Sequence, residues 1–156
     1  MALVRILVDG YSLLHAWDAL APGKARHSAA ARDELINRLT HYYDASGTPI
    51  TVVFDGASTD TAAPAFPSTP EVEIIYSRAG QTADQVIERV AHRLKSYGEA
   101  LVVTDDLAER DTVVSAGASF SSCLGFIQTI ENALAELERE LKRLNSSEVS
   151  KFQRSN

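Results

Sequence analysis

Short runs rich in Val, Ile and Leu that stop at acidic residues constrain this chain more than any other feature. Residues 3–8 stop at Asp9-Gly10, residues 50–54 at Asp55-Gly56, and residues 100–103 lead through Thr104 into Asp105-Asp106. A run of Val, Ile and Leu bounded by turn residues reads as a strand buried on both faces, because it has no polar side to leave in water. Residues 72–76 supply a further strand. Helical spacing fills the intervals. Ala31, Leu35, Ile36, Leu39 and Tyr42 recur through residues 27–44, with Ser28 as N-cap and Gly47-Thr48-Pro49 as the stop. Val86, Ile87, Val90, Ala91 and Leu94 share one face of a helix over 82–96, with Thr82 as N-cap.

The remainder completes the alternation. Residues 57–70, rich in Ala, Pro, Ser and Thr, read as a loop. Residues 107–116 form a short helix ended by Gly117, and residues 118–120 a brief edge strand. Ser121-Ser122 then cap a long final helix, whose segment 136–144 sets Leu137, Leu141 and Leu144 among alternating charges. Beyond Asn145 the polar residues predict a frayed end. The expected organisation is one domain over 1–145 and a flexible tail over 146–156. Strands alternating with helices imply right-handed crossovers, hence an α/β fold: a three-layer αβα sandwich around a mainly parallel sheet. Ligands of such sheets bind outside the carboxyl ends of the strands, where the strand order reverses.

At 156 residues and 45% hydrophobic content the chain can fill one core. The single cysteine, Cys123, allows no internal disulfide, and no zinc-type Cys/His spacing occurs. The N-terminal apolar run meets Asp9 too soon for a signal peptide or a membrane span, so a cytoplasmic protein is expected. With a net charge of −6, a nucleic acid would have to be held by a local basic surface or through metal ions.

Asp9, Asp55, Asp105 and Asp106 all follow strands, and Asp84 and Glu88 lie at i and i+4 on the helix after the third strand. In a parallel sheet they converge at one edge. Carboxylates gathered in this way repel and raise one another's pKa, a penalty that a cation removes. Oxygen ligands without Cys favour Mg²⁺ or Mn²⁺, and Mg²⁺ characteristically shares its coordination with water and phosphate oxygens. Phosphate-loop, dinucleotide-binding and nucleophile-elbow signatures are all absent.

Four stretches carry a resemblance: Val-Asp-Gly-Tyr-Ser-Leu-Leu-His (8–15), Val-Val-Phe-Asp-Gly (52–56), Thr-Ala-Asp-Gln-Val-Ile-Glu (82–88) and Val-Val-Thr-Asp-Asp-Leu-Ala-Glu-Arg (102–110). In order and spacing the chain resembles the YacP-like branch of the NYN ribonucleases, within the PIN-like nuclease superfold. The resemblance implies a metal-dependent endoribonuclease acting on single-stranded RNA, messenger RNA included, with water attacking in line to leave a 5′-phosphate. It implies Asp9, Asp84 and Asp106 as catalytic metal-binding acids, with Asp55 and Glu88 as further metal ligands, while Asp105, which has no counterpart in the family, adds a carboxylate at the rim that could recruit a second metal. Three departures stand out: the family usually has Asn at Ser12, Ser at Asp105 and Glu at Gln85.

Substrate contacts are expected from Tyr11, Ser12, His15, Thr104, Arg78 and Arg110, with Trp17, Lys24, Arg26 and Arg89 as further stacking or phosphate-binding candidates. RNA presented by a ribosome is one candidate form of the substrate. The same acids would serve a DNA nuclease or phosphatase, and a non-catalytic RNA-binding domain is the third reading.

Overall fold

A computed structural model describes residues 3–56 and 66–155. Most of the loop expected over 57–70 therefore lies outside the described residues. In chain order the elements are β1 (Leu3–Asp9), α1 (Gly10–Ala16), α2 (Ala29–Ser46), β2 (Ile50–Phe54), β3 (Val72–Tyr76), α3 (Ala83–Leu94), β4 (Glu99–Val103), α4 (Leu107–Ser115), β5 (Ser119–Ser121) and α5 (Cys123–Ser155).

The strands form one sheet in the order β3-β2-β1-β4-β5, and every pairing is parallel. The chain builds outward from β1 to β3, then crosses back to place β4 on the other side of β1. The carboxyl ends of β1 and β4 thus flank the point where strand order reverses. Side chains alternate across the sheet as the strand period requires. Ile6 and Val8 of β1, with Ile50, Val52 and Phe54 of β2, pack under α1, α2 and α5, alongside Leu35, Leu39 and Phe126. Leu7, Val53 and Val102 face the opposite way, onto Val86, Ile87 and Ala91 of α3 and Val113 of α4. The result is the expected three-layer sandwich.

Local chemistry sets the helix starts. Ser28 accepts from Ala31 N, and α2 ends at Gly47, whose left-handed φ of 73° lets its N–H return to Tyr43 O. Thr82 and Gln85 form a reciprocal capping box at the head of α3. Two features depart from expectation. Asp9-Gly10 was expected to end a strand in a turn; instead Asp9 caps α1, accepting from Ser12 N at 3.3 Å. The final helix also continues through Ser155 rather than fraying after Asn145. No Gly or Pro interrupts it there, and ion pairs Glu136–Arg139 and Glu138–Lys142 lie along its exposed side.

Candidate active site

Three carboxylates meet at the strand-order reversal. Asp9 stands at the end of β1, Asp84 in the first turn of α3 and Glu109 in the first turn of α4. One oxygen from each lies within 4.8 Å of the others, which places a common cation within reach of all three. The sheet dictates this meeting. β1 and β4 are hydrogen-bonded neighbours, and α3 crosses over them, so its N-terminus arrives above the end of β1.

Glu109 is the unusual member. It is 2% exposed, and neither carboxylate oxygen has a hydrogen-bond partner among the described residues. Burial, reinforced by the Asp84 carboxylate, pushes its pKa well above the usual carboxylate range. Asp9 is raised to about 6: burial is the largest cause, the Ser12 N–H opposes it, and the charges of Asp84, Asp106 and Asp55 add to it. A buried carboxylate beside two more, eased only by the nearby Thr104 hydroxyl, is an unfavourable arrangement until a positive charge sits among them. The donor set is all oxygen, as Mg²⁺ and Mn²⁺ prefer.

A cleft of ≈ 300 Å³ opens onto this cluster, lined by Asp9, Asp55 and Asp84 on one side and Tyr11, His15 and His27 on another. The two imidazoles touch, Nε2 to Nε2 at 3.1 Å, and His27 leans on the Tyr11 ring with centroids 4.3 Å apart. Gly10 and Gly56 let the walls close. A Cβ on Gly10 would sit 2.4 Å from the Phe54 ring, and one on Gly56 would sit 2.1 Å from Ser77 O.

Of the acids singled out in the sequence, Asp9 and Asp84 are in the cluster and Asp55 lines its cleft. Asp106 is near enough for its charge to act on Asp9, but its Oδ1 caps α4, accepting from Ala108 N at 2.9 Å. Asp105 turns the other way, and its Oδ1 accepts from Cys123 N at the start of α5. Glu88, one turn beyond Asp84 on α3, is neither in the cluster nor in the cleft lining. Glu109 was missed because it follows Asp106 at the spacing of an ordinary helix start. Its spacing from buried Val113, four residues on, was the available signal that it faces inward.

The expected substrate contacts divide similarly. Tyr11, Ser12 and His15 line the cleft. Thr104 is fully buried, and its Oγ1 accepts from Asp106 N, so it shapes the turn without facing the opening. Arg110 pairs with Asp111 and lies over Phe120, on the α4–β5 side. Trp17 is a core residue, 3% exposed. Arg26 donates to the carbonyls of Leu14, Trp17, Ala21 and Lys24, closing the loop before α2. Arg78 lies outside this cleft, in the loop leading to α3.

The structure also accounts for the three departures. Gln85 completes the capping box as Glu would. Ser12 Oγ accepts from Asp105 N, while Asp105 secures α5, so these two positions form one bracket between α1, the β4–α4 turn and α5. Cys123, buried against Ser12 Oγ at 3.4 Å, has its thiol pushed up to about 12 by burial and is no nucleophile.

A parallel sheet in this order, with a carboxylate cluster at its reversal point, is the arrangement of the PIN-like fold. The chain belongs to the YacP-like NYN domain family, whose sequence profile matches residues 6–155. It is 30% identical to "Uncharacterized protein YacP" of Bacillus subtilis (strain 168) over 142 residues, 90% of this chain and 83% of that one. The crystal structure of Rae1 (YacP) from Bacillus subtilis superposes with a TM-score of 0.79 at 28% identity, covering 96% of this chain and 85% of that one. The W164L mutant of the same protein gives 0.76 at 28% identity, covering 92% and 85%.

Proposed function

We propose that this protein is a metal-dependent endoribonuclease that hydrolyses single-stranded RNA at the cluster of Asp9, Asp84 and Glu109. The observation that carries the reading is the buried Glu109 carboxylate, without a hydrogen-bond partner among the described residues and facing Asp9 and Asp84. These three residues would hold Mg²⁺ or Mn²⁺, which when bound supplies Lewis acidity to the phosphate and lowers the pKa of water. Asp55 and Asp106 add negative charge around the cluster and favour the cation's retention. A carboxylate left free of the cation orients the attacking water in line with the scissile phosphate. On the cleft lining, His15 and His27 are joined through their Nε2 atoms, Tyr11 braces His27, and this polar pair forms a wall against which a phosphate or base can rest.

RNA is the partner this reading requires. No helix among the described residues is long and apolar enough to cross a membrane. Together with the buried free thiol of Cys123, this supports a cytoplasmic setting. The test is cleavage of matched single-stranded RNA and all-2′-deoxy oligonucleotides in Mn²⁺, with EDTA controls and end-group analysis. The expected result is metal-dependent RNA cleavage leaving 5′-phosphates, with the deoxy strand intact. Equal cleavage of the deoxy strand would make the protein a general phosphodiesterase, and RNA binding without cleavage would leave a binding domain.

A further inference from the structure

A second cleft, of ≈ 290 Å³, lies between the edge strand β3 and helix α3, and three arginines surround it: Arg78, Arg89 and Arg93. All three are exposed, and among the described residues none forms an ion pair. That is unexpected in a chain of net charge −6, where acidic residues outnumber basic ones by 21 to 15. The carboxylates nearest in sequence do not neutralise them. Glu73 accepts from Thr51 Oγ1, and Glu88 forms no ion pair among the described residues.

The placement is ordered along α3. Arg89 and Arg93 are one turn apart, roughly 6 Å along the axis, while Asp84 lies on the same helix roughly 13 Å before Arg93. Arg78 sits in the loop that brings the chain from β3 to α3, held by a turn in which Gln81 N donates to Arg78 O at 3.0 Å. By helical phase Arg89 and Arg93 lie about 140° and about 180° round α3 from Asp84, so the arginines occupy the face of the helix turned away from the carboxylate cluster, and Arg78 stands in the loop where that helix begins. Ile75, Val86 and Val90 give the cleft an apolar floor.

We propose that this groove binds the phosphate backbone of an uncleaved stretch of single-stranded RNA that passes from the carboxylate cluster around the N-terminus of α3, Arg78, Arg89 and Arg93 each pairing with a phosphate. The proposal rests on the RNA reading of the neighbouring carboxylate site. Guanidinium forks bind phosphate oxygens bidentately, and a basic track over an apolar floor suits a strand held by its backbone without regard to sequence. The groove offers an acidic protein a way to engage a polyanion: a cation would meet the cleaved phosphate, and the arginines meet a flanking stretch of the strand.

The test is fluorescence anisotropy with a labelled mixed-sequence 12-nucleotide RNA in EDTA, across a series of salt concentrations. Wild type is compared with an Arg78→Gln, Arg89→Gln, Arg93→Gln variant and with a charge-matched Arg139→Gln, Lys142→Gln, Arg143→Gln variant on α5. The groove variant should lose about tenfold or more in affinity at low salt, and its salt slope should fall by about 2, from roughly 0.7 per phosphate contact. The α5 variant should bind as wild type does, and an all-lysine groove variant should recover most of the slope. Equal loss in both glutamine variants, or no loss in either, would overturn the groove. Because binding is read without metal, the two readings fail separately. A wild type that never cuts RNA while the groove variant alone loses binding would retire the nuclease and keep the groove.

Discussion

At the scale of single residues, the burial of Glu109 is the clearest sign that the site is built for a cation. Asp9 has a folded-state pKa near 6 against an ordinary 3.8, and Glu109 is shifted in the same direction. Acids raised in this way leave the metal-free fold most stable below their ordinary pKa values, and that stability is lost as pH rises through the raised ones. For Asp9 alone the loss amounts to about 3 kcal/mol between pH 4 and 7. Thermal melts in EDTA should therefore show a lower Tm at pH 8 than at pH 5, and saturating Mn²⁺ should remove the difference. A Tm in EDTA that rises across that range would show that the cluster carries no such strain. Glu109→Gln removes the buried charge and should raise the metal-free Tm at pH 8. Asp9 and Asp84 were legible in the sequence because a strand end and a helix start announce them. Glu109 was harder to read, since its one signal in the sequence is the four-residue spacing from Val113, set among residues that also read as an ordinary helix start.

At the scale of elements, strands and major helices followed from apolar spacing and caps, with β2 and β3 falling on the predicted residues. The short helix α1 escaped because Asp-Gly is equally the sequence of a turn, and only the Phe54 ring above Gly10 distinguishes the two. Gly10→Ala would force its Cβ against that ring. It should destabilise the protein by about 1–3 kcal/mol in urea denaturation, the usual range for overpacking a filled core. A variant as stable as wild type would mean that the ring moves aside freely. The far end of α5 was misjudged for the opposite reason: its helix is sustained by local propensity and charge pairs, while among the described residues its packing against the core ends at Leu134. Ending the chain after Leu144 should leave the Tm within about 2 °C of wild type, and a larger drop would reveal a packing role for the distal turns.

At the scale of the whole molecule, the order β3-β2-β1-β4-β5 brings residues 9, 84 and 109 to one place although they are far apart in the chain. The parallel sheet and its ligand-binding edge could be read from alternating strands and helices. Which acids meet there depended on the tilt of α3 and α4, which periodicity does not specify. Family membership and geometry together support the proposed chemistry, phosphodiester hydrolysis at a cation that the three carboxylates would hold. The most direct measurement compares Mn²⁺-dependent cleavage of a labelled single-stranded RNA by wild type, Glu109→Gln and Glu88→Gln. Glu109→Gln should lose about a hundredfold or more in rate, and Glu88→Gln should cleave nearly as wild type does. Full activity in Glu109→Gln would mean that the chemistry does not run at this cluster.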